Sequence, residues 1–192
     1  MKPTIGYCLV KLHDNPELID GCALLLNKQW QRSLTSRLHS LNKSCDDFPL
    51  SLVLINNNKT DYQILGHIRV KREPLVNNRH TVFIESLIVD ECVRGQGFGK
   101  YIMLETERLV KQMGFLTITL TTTDKQEFYR HLGYREVNLS VDCNQMSCRP
   151  MSSILSAESP QMPTPPPPPV PPPMPSINKS NNLVKVLMLK NI

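Results

Sequence analysis

The sequence lacks the features that mark membrane-spanning, disulfide-bonded and metal-binding proteins. No apolar run in its 192 residues is long enough to cross a bilayer. The six cysteines include no Cys-x-x-Cys pair and the five histidines do not cluster beside them, which argues against a zinc site. The first residues, Met1 to Thr4, hold no apolar signal-peptide core. We therefore expect a soluble cytoplasmic protein, located in the cytosol, with reduced thiols and no bound metal.

Dense basic stripes and nucleic-acid-binding motifs are also absent. The net charge is only +5, and no zinc-finger, RNP or helix-turn-helix signature is present, so we expect no nucleic acid partner. Hydrophobic residues make up 40% of the chain and aromatic residues 6%, which is an ordinary globular composition. The length suits one hydrophobic core, and we expect a single domain over residues 1–192.

Three glycines at alternate positions form the most informative segment. The strand-like run Thr81 to Asp90 leads into Arg94-Gly95-Gln96-Gly97-Phe98-Gly99, and a helical pattern follows it. Such glycines let backbone N–H groups converge on one anion at the first turn of a helix. Arg94 and Tyr101 do not match a P-loop, and Lys100 replaces the third glycine of the dinucleotide fingerprint. The segment predicts a phosphate-binding loop, the alternative being a plain turn between a strand and a helix.

Three motifs in this order resemble the GNAT superfamily of acetyl-CoA-dependent N-acetyltransferases. Arg94 to Gly99 matches its Arg/Gln-x-x-Gly-x-Gly/Ala loop, and Val82 to Asp90 resembles its fourth strand, which is splayed from its neighbour. Asp124 to Tyr134 resembles its last helix, with the Phe128-Tyr129 pair before a glycine-aromatic turn. The resemblance implies an α/β (α+β) GNAT fold: a mixed, mostly antiparallel sheet of about seven strands and about four helices, splayed at strands 4 and 5.

Hydrophobic periodicity agrees with the order strand, two helices, three strands, helix, strand, helix, strand. Asp14-Asn15-Pro16 is expected to open the first helix with a capping side chain and an early proline, and Trp30 to end it. Gly114 is expected to end the helix that follows the glycine loop. The second helix is predicted within residues 31–46, and the predicted strands cover residues 5–12, 50–56, 63–71, 81–90, 116–121 and 182–190.

The resemblance also assigns an acetyl-CoA site. Backbone groups of the strand before the loop would hold the acetyl and pantetheine parts, and the loop N–H groups would bind the pyrophosphate. Arg94 would add a charge-assisted contact, the alternative being a solvated arginine at the loop edge. The cofactor-binding residues expected in this way are Leu87, Ile88, Val89, Arg94, Gly95, Gln96, Gly97, Phe98, Gly99, Lys100 and Asp124.

Two residues are candidates for the proton transfers. Glu85 is the one carboxylate in an apolar strand run, where burial would raise its pKa toward that of a general base, and alternation places it with Leu87 and Val89. The alternative is a glutamate satisfied by a structural arginine. Tyr129 occupies the helix where the family commonly places the tyrosine that protonates the leaving thiolate of CoA. Its alternative role is plain packing beside Phe128.

The acceptor is expected beside the connection between the first two helices, which flanks the peptide in N-terminal acetyltransferases. Asn27 to Arg37 forms that connection here, and its basic residues favour an acidic peptide. The substrate-binding residues expected are Asn27, Trp30, Arg32, Arg37, Arg79 and Tyr134, the last being either a wall of the cleft or a packed ring.

A proline-rich insertion is predicted at residues 143–181. Its centre, Pro160 to Pro175, holds eleven prolines in sixteen residues, a composition that favours polyproline II. It is either a flexible spacer or a ligand for an aromatic groove. SH3 ligands generally carry a flanking arginine or lysine, and none lies close to this run. The uncharged proline ladder is instead similar to sequences bound by profilin, with WW and EVH1 domains as alternative partners.

Together these features resemble the N-terminal acetyltransferases that modify actin in animals. The resemblance implies acetyl-CoA as cosubstrate, the free α-amine of acidic N-termini, above all that of processed actin, as acceptor, and profilin as a partner through Pro163 to Pro175. Two alternatives stay open from the residues alone. One is an acetyltransferase for lysines or small amines, and the other is a non-catalytic proline-rich adaptor.

Overall fold

A seven-stranded mixed sheet forms the centre of the structure, a computed structural model that describes residues 6–58, 61–72, 80–137 and 185–192. The strands are β1 (Tyr7–Lys11), β2 (Leu50–Asn58), β3 (Asp61–Arg72), β4 (Thr81–Val89), β5 (Thr117–Thr122), β6 (Arg135–Glu136) and β7 (Val186–Asn191). The helices in the described residues are α1 (Ile19–Gln29), α2 (Leu34–Leu41), α3 (Phe98–Gln112) and α4 (Gln126–His131). The predicted fold class is confirmed.

The strands lie in the order β1-β2-β3-β4-β5-β7-β6. The first four pair antiparallel with their sequence neighbours, as short connections allow. β4 and β5 are parallel because α3 carries the chain back across the sheet between them. β7 inserts antiparallel between β5 and β6, so the last strand of the chain is not at the edge of the sheet.

Each face of the sheet buries its own hydrophobic core. β2 shows why, since Leu50, Leu52 and Leu54 belong to the core under α3 and α4, whereas Val53 and Ile55 belong to the core under α1 and α2. Side chains that alternate along a strand point to opposite faces, and a strand covered on both faces is apolar at nearly every position. The helices are therefore held by burial on two independent surfaces of one sheet.

The pairing of β4 with β5 stops halfway along β4. Thr81 to Ile84 lie opposite Thr117 to Leu120, but none of the described strands pairs with Glu85 to Val89 on the β5 side. On its other edge β5 pairs with β7 along its whole length, from Thr117 opposite Asn191 to Thr122 opposite Val186. The sheet thus opens at the carboxyl end of β4, where the expected splay lies.

A buried polar network secures β7. The Tyr134 hydroxyl donates to Glu107 Oε1 at 3.0 Å, and Lys190 Nζ lies 2.6 Å from Glu107 Oε2. Glu107 belongs to α3 and is 8% exposed, so both of its carboxylate oxygens are paired away from bulk water. The network joins α3, the turn after α4 and the last strand.

Several boundaries differ from the prediction for local reasons. The first helix begins with a 3₁₀ turn, Pro16–Leu18, because the Asn15 side chain donates to Lys11 O at 2.8 Å and caps no helix. α2 begins only at Leu34, where the Ser33 hydroxyl accepts from Ser36 N. None of the described helices is long and apolar enough to span a membrane. Residues 138–184, where the proline-rich prediction falls, lie outside the described residues.

His67 on β3 is a buried group that the fold keeps neutral. Its side chain is fully buried, and neither ring nitrogen has a hydrogen-bond partner among the described residues. Burial, followed by the charges of Arg69 and Arg37, lowers the pKa of His67 from 6.5 to about 3. Between these two pKa values the unfolded chain binds a proton that the folded chain does not, so stability falls as pH decreases below about 6.5.

We predict that His67→Met removes this pH dependence. Wild type should lose about 2 kcal/mol more unfolding free energy than the variant when the pH drops from about 7.5 to about 5. Urea unfolding at the two pH values measures the difference. Equal pH dependence in both proteins would show that His67 is protonated without cost in the folded state.

Candidate active site

The glycine loop, residues 94–99, lies at the open end of β4. Asp90 ends the strand and its Oδ1 accepts from Cys92 N at 3.0 Å, which caps the 3₁₀ turn Glu91–Val93. Gly95 and Gly97 then adopt positive φ values of +81° and +85°, a backbone region that glycine enters without steric cost. A Cβ at either position would meet no described atom within 4 Å. Because these two residues have no side chain, the space beside the loop backbone at Gly95 and Gly97 stays open.

α3 starts directly from this loop. Its first intrahelical hydrogen bond runs from Tyr101 N to Gly97 O at 3.0 Å, so the N–H groups of Phe98, Gly99 and Lys100 precede the helical ladder. These groups lie at the positive end of the helix dipole. Backbone donors, positive dipole and open space together fit the diphosphate of acetyl-CoA.

The start of α3 is packed between β4 and α4. A Cβ on Gly99 would lie 3.4 Å from Phe128 Cζ and 3.7 Å from Val89 Cγ2, so the glycine brings the helix close to both elements. The Phe98 ring packs edge-on against Tyr7 at 5.0 Å between centroids. Gln96 and Lys100 are exposed beside the loop.

Arg94 does not point into the open space of the loop. Its Nε donates to Val89 O at 3.1 Å, and its guanidinium lies 3.3 Å from Glu91 Oε1 and 3.5 Å from Gln29 Oε1. The side chain is 49% exposed, so the alternative of a solvated arginine at the loop edge fits this geometry, and the phosphate contact stays a prediction. The side chain also ties the end of β4 to the end of α1, because the carbonyl of Val89 offers an acceptor five residues back in the chain.

Tyr129 lies in α4 beside the start of α3. It is 9% exposed, and its ring packs edge-on against Phe128 and Tyr134. Burial raises the pKa of Tyr129 to about 12, so the phenol stays protonated at any physiological pH. A hydroxyl that keeps its proton is available as a proton donor to an anion that forms nearby.

The expected environment of Glu85 is wrong. The side chain is 33% exposed, its Oε2 lies 3.1 Å from Arg69 Nε, and its Oε1 pairs with Lys71. The cause is a β-bulge in β4. Ser86 lies opposite Arg69 and Ile84 lies opposite Val70, so Glu85 has no residue opposite it in the β3–β4 register. The bulge also interrupts the alternation that was expected to place Glu85 with Leu87 and Val89. Those two side chains pack on the core under α3 and α4.

Arg69 is a site residue that the sequence prediction missed. It is 6% exposed, and besides its ion pair with Glu85 it donates through Nη1 to Ser40 Oγ of α2 at 2.7 Å. The available signal was the polar period of two in β3, where His67, Arg69 and Lys71 alternate with apolar residues. This pattern was compatible with an ordinary solvated strand face, since nothing local indicates that α2 covers it.

The α1–α2 connection is organised from inside by Arg37. Its Nε donates to Asn27 Oδ1 at 3.0 Å, and its Nη2 donates to Trp30 O. Asn27 Nδ2 in turn donates to Arg32 O at 3.1 Å. Arg37 is 8% exposed, and burial lowers its pKa. Two of its guanidinium nitrogens are therefore hydrogen-bonded within the connection, and direct contact between Arg37 and a substrate stays a prediction.

Trp30 and Arg32 remain exposed at this connection. The Trp30 side chain is 43% exposed although its backbone ends α1 through Trp30 N to Leu26 O at 2.9 Å. After burial, the charges of Arg32 and Arg69 lower the pKa of Arg37 further. Glu85 is the acidic group that acts on Arg37 in the same place. Positive charge therefore exceeds negative charge in this region of the described residues.

The structure describes two further predicted residues, Tyr134 and Asp124. Tyr134 is 3% exposed and its hydroxyl bonds to Glu107, so the packed ring is correct and the cleft wall is wrong. Asp124 lies exposed in the bend before α4, and a contact of 2.7 Å to Lys125 Nζ lowers its pKa. Arg79 lies outside the described residues.

Comparison with known proteins agrees with this geometry. The model of the acetyltransferase (GNAT) family matches residues 16–134. The mouse protein N-alpha-acetyltransferase 80 is 42% identical over 123 residues, which cover 62% of this chain and 38% of the mouse protein. The chain thus spans less than half the length of that relative.

Solved structures of low sequence identity share the fold. An aminoglycoside 6'-acetyltransferase type Ii superposes with a TM-score of 0.60 at 17% identity, over 96% of each chain. A chain of the NatC complex bound to Gag peptide and CoA gives a TM-score of 0.57 at 19% identity, over 70% of this chain and 87% of that one. The Escherichia coli GNAT protein YhbS in complex with CoA gives 0.54 at 20% identity, over 70% and 72%.

We predict that Gly97→Asp abolishes CoA binding and leaves the fold intact. The carboxylate would occupy the open space with the charge of the phosphate, and the affinity should fall by about two orders of magnitude or more. The positive φ of Gly97 should cost about 1 kcal/mol of unfolding free energy. Calorimetric titration with CoA and thermal unfolding measure the two effects.

Gly114→Asp is the matched control. Gly114 follows the other end of α3, has a φ of +90°, and likewise has no described atom within 4 Å of a Cβ. The Gly114→Asp variant should lose about as much unfolding free energy as Gly97→Asp and should bind CoA with wild-type affinity. Unchanged CoA affinity in Gly97→Asp would refute the phosphate-binding loop.

Proposed function

Because the chain belongs to the acetyltransferase (GNAT) family, we propose that it transfers acetyl from acetyl-CoA to the free α-amine of acidic protein N-termini, with processed actin as its substrate. The family match covers the loop, β4 and α4. The N-terminal specificity is supported by the 42% identity to the mouse N-alpha-acetyltransferase over 62% of the chain.

In this proposal acetyl-CoA enters the opening between β4 and β5. The N–H groups at the start of α3 take its diphosphate, and the unpaired edge of β4 from Leu87 to Val89 offers backbone groups to the pantetheine arm and the thioester. Backbone donors of this edge would also stabilise the oxyanion that forms when the amine attacks. Acetyl-CoA supplies the activated acetyl group, and the chain supplies position and charge.

The transfer then needs two proton movements. The neutral amine attacks the thioester carbonyl, a C–N bond forms, and the C–S bond breaks to release a thiolate. Tyr129 gives its phenolic proton to that thiolate, for which its protonated state is suited. The proton of the attacking amine leaves through water toward Glu85. An α-amine has an ordinary pKa of about 7.7 to 8.0, so the site has to remove only a modest protonation penalty.

The preference for an acidic acceptor peptide is proposed to come from the positive charge of the α1–α2 region. Arg32 and Arg37 belong to this region and Arg69 contacts α2, whereas Glu85 is the carboxylate paired with Arg69, which leaves an excess of positive charge. Such an excess attracts acidic peptides and repels lysine-rich ones. Trp30 offers an exposed apolar surface at the same connection, beside which the first residues of a peptide could lie. Actin fits as a substrate whose processed N-terminus is acidic.

The proline-rich insertion is proposed as the profilin ligand. Its support is the uncharged ladder Pro163 to Pro175, which suits an aromatic groove. Binding profilin there would hold the actin that profilin carries near the acceptor site. Tethering of this kind raises the local concentration of substrate without a new contact at the reacting atoms.

We predict that Tyr129→Phe lowers kcat by about a hundredfold and leaves CoA affinity unchanged. The variant keeps the ring packing and loses only the acid. Because burial places the pKa of Tyr129 at about 12, the wild-type rate should show no loss of this acid up to about pH 10. Steady-state kinetics across pH and CoA titration measure both effects.

Tyr134→Phe is the matched control for that variant. It removes a phenol that bonds to Glu107, so it should lower stability by about 1 to 3 kcal/mol and leave kcat nearly unchanged. If Tyr129→Phe kept full kcat, or if both variants lost it equally, Tyr129 would not be the acid.

The proposed function is tested by mass spectrometry of peptides incubated with the protein and acetyl-CoA. We expect a single acetyl group on the α-amine of a peptide that begins Asp-Asp-Asp, and slower acetylation of a neutral N-terminus. An internal lysine should stay unmodified. Acetylation of the lysine alone would contradict the N-terminal specificity, and equal rates on acidic and neutral termini would contradict the acidic one.

A deletion of Pro163 to Pro175 separates peptide chemistry from presentation of the whole substrate. Peptide acetylation should be unchanged, whereas acetylation of actin in complex with profilin should slow. An equal rate on that complex would remove profilin from the proposal and leave the peptide specificity standing.

A further inference from the structure

Asp90 connects two loops that bind different ligands in the proposed function. Its Oδ1 caps the 3₁₀ turn that leads into the glycine loop, through Cys92 N at 3.0 Å. Its Oδ2 pairs with Lys28 Nζ at 2.9 Å, across 62 residues of sequence. The Asp90 side chain is 15% exposed, whereas Lys28 reaches it from solvent with 58% of its side chain exposed. One carboxylate therefore contacts the start of the glycine-loop segment and the last turn of α1.

The residues around Lys28 continue this connection to the α1–α2 side. Asn27 is held by Arg37 and itself holds Arg32 O. Gln29 receives the outer end of Arg94 at 3.5 Å. The backbone of Asp90 is fixed in turn, because Asp90 N donates to Leu65 O of β3 at 2.8 Å. The chain of contacts runs without a gap from Arg37 through α1 to the glycine loop.

We propose that Asp90 is a positioning residue that couples the binding of acetyl-CoA to the order of the acceptor side, residues 27–37, through its ion pair with Lys28. The inference rests on the proposed function for the identity of the two ligands. When CoA fixes the glycine loop, Asp90 is held in the position that pairs with Lys28. The last turn of α1 and the connection after it then lose freedom, and an acceptor peptide has less to order when it binds.

Neither role predicted for the neighbouring Arg94 explains why α1 is tied to this point. A loop that only bound phosphate would need the Asp90 cap and no partner on Asp90 Oδ2. The Lys28 pair lies on the opposite side of the same carboxylate and lowers the pKa of Asp90, the Cys92 N–H being the second cause. The carboxylate is thus kept ionised by both loops at once.

Hydrogen exchange with CoA alone tests the coupling independently of the acceptor. In wild type, CoA should slow amide exchange both in residues 91–100 and in residues 27–37. In Lys28→Met, the first segment should be protected as in wild type and the second should show little protection. Asp90→Asn should behave like Lys28→Met, because its side-chain oxygen can still accept from Cys92 N.

Lys11→Met is the matched control. Lys11 also makes an ion pair across distant sequence, to Asp46 at 2.7 Å, but neither residue belongs to the two loops. This variant should keep wild-type protection in both segments. Protection of residues 27–37 by CoA in Lys28→Met, its absence in wild type, or its loss in Lys11→Met would overturn the proposal.

A binding measurement with the acidic peptide supplies the second readout. In wild type CoA should tighten peptide binding about fivefold, and the peptide should tighten CoA binding by the same factor. In Lys28→Met both factors should approach one, while the affinity for CoA alone stays close to that of wild type. A fivefold coupling retained in Lys28→Met would overturn the proposal. If the peptide does not bind wild type although CoA protects residues 27–37, the acidic acceptor fails and the coupling stands.

Discussion

The site depends on a strand pairing that stops early. β4 and β5 are parallel, and their pairing ends at Ile84 and Leu120, while β5 pairs with β7 along its other edge. None of the described strands pairs with Glu85 to Val89 on the β5 side, and backbone groups that leave water need a partner. An extended ligand with amide groups can supply it. The parallel geometry also places a helix at this opening, because the crossover helix α3 must start at the carboxyl end of β4.

The same constraint decides where the charges lie. α3 begins at the opening and presents backbone donors there, so the anionic part of a ligand is bound without a dedicated basic side chain. The arginine side chains near the site therefore make structural contacts instead. Arg94 ties β4 to α1, and Arg37 organises the α1–α2 connection. Arg69 lies under α2, where it pairs with Glu85 and donates to Ser40.

The sequence was sufficient for the fold and for the glycine loop, and insufficient for the roles of single side chains. Glycine spacing between a strand and a helix has few backbone solutions, and Gly95 and Gly97 adopt the expected positive φ. Glu85 was misplaced because a β-bulge leaves no local signal and reverses which face the following residues share. The internal contacts of Arg37 and Tyr134 were not foreseen because burial by distant elements decides whether a polar group contacts solvent or the chain itself.

The placement of the two proton-transfer candidates on different elements follows from the chemistry they would perform. A departing thiolate needs a donor that stays protonated, and burial between aromatic rings in α4 gives Tyr129 that property. An attacking amine needs a proton acceptor, and Arg69 and Lys71 form ion pairs with the proposed acceptor, Glu85. The two candidates therefore lie on different elements, Tyr129 on α4 and Glu85 on β4.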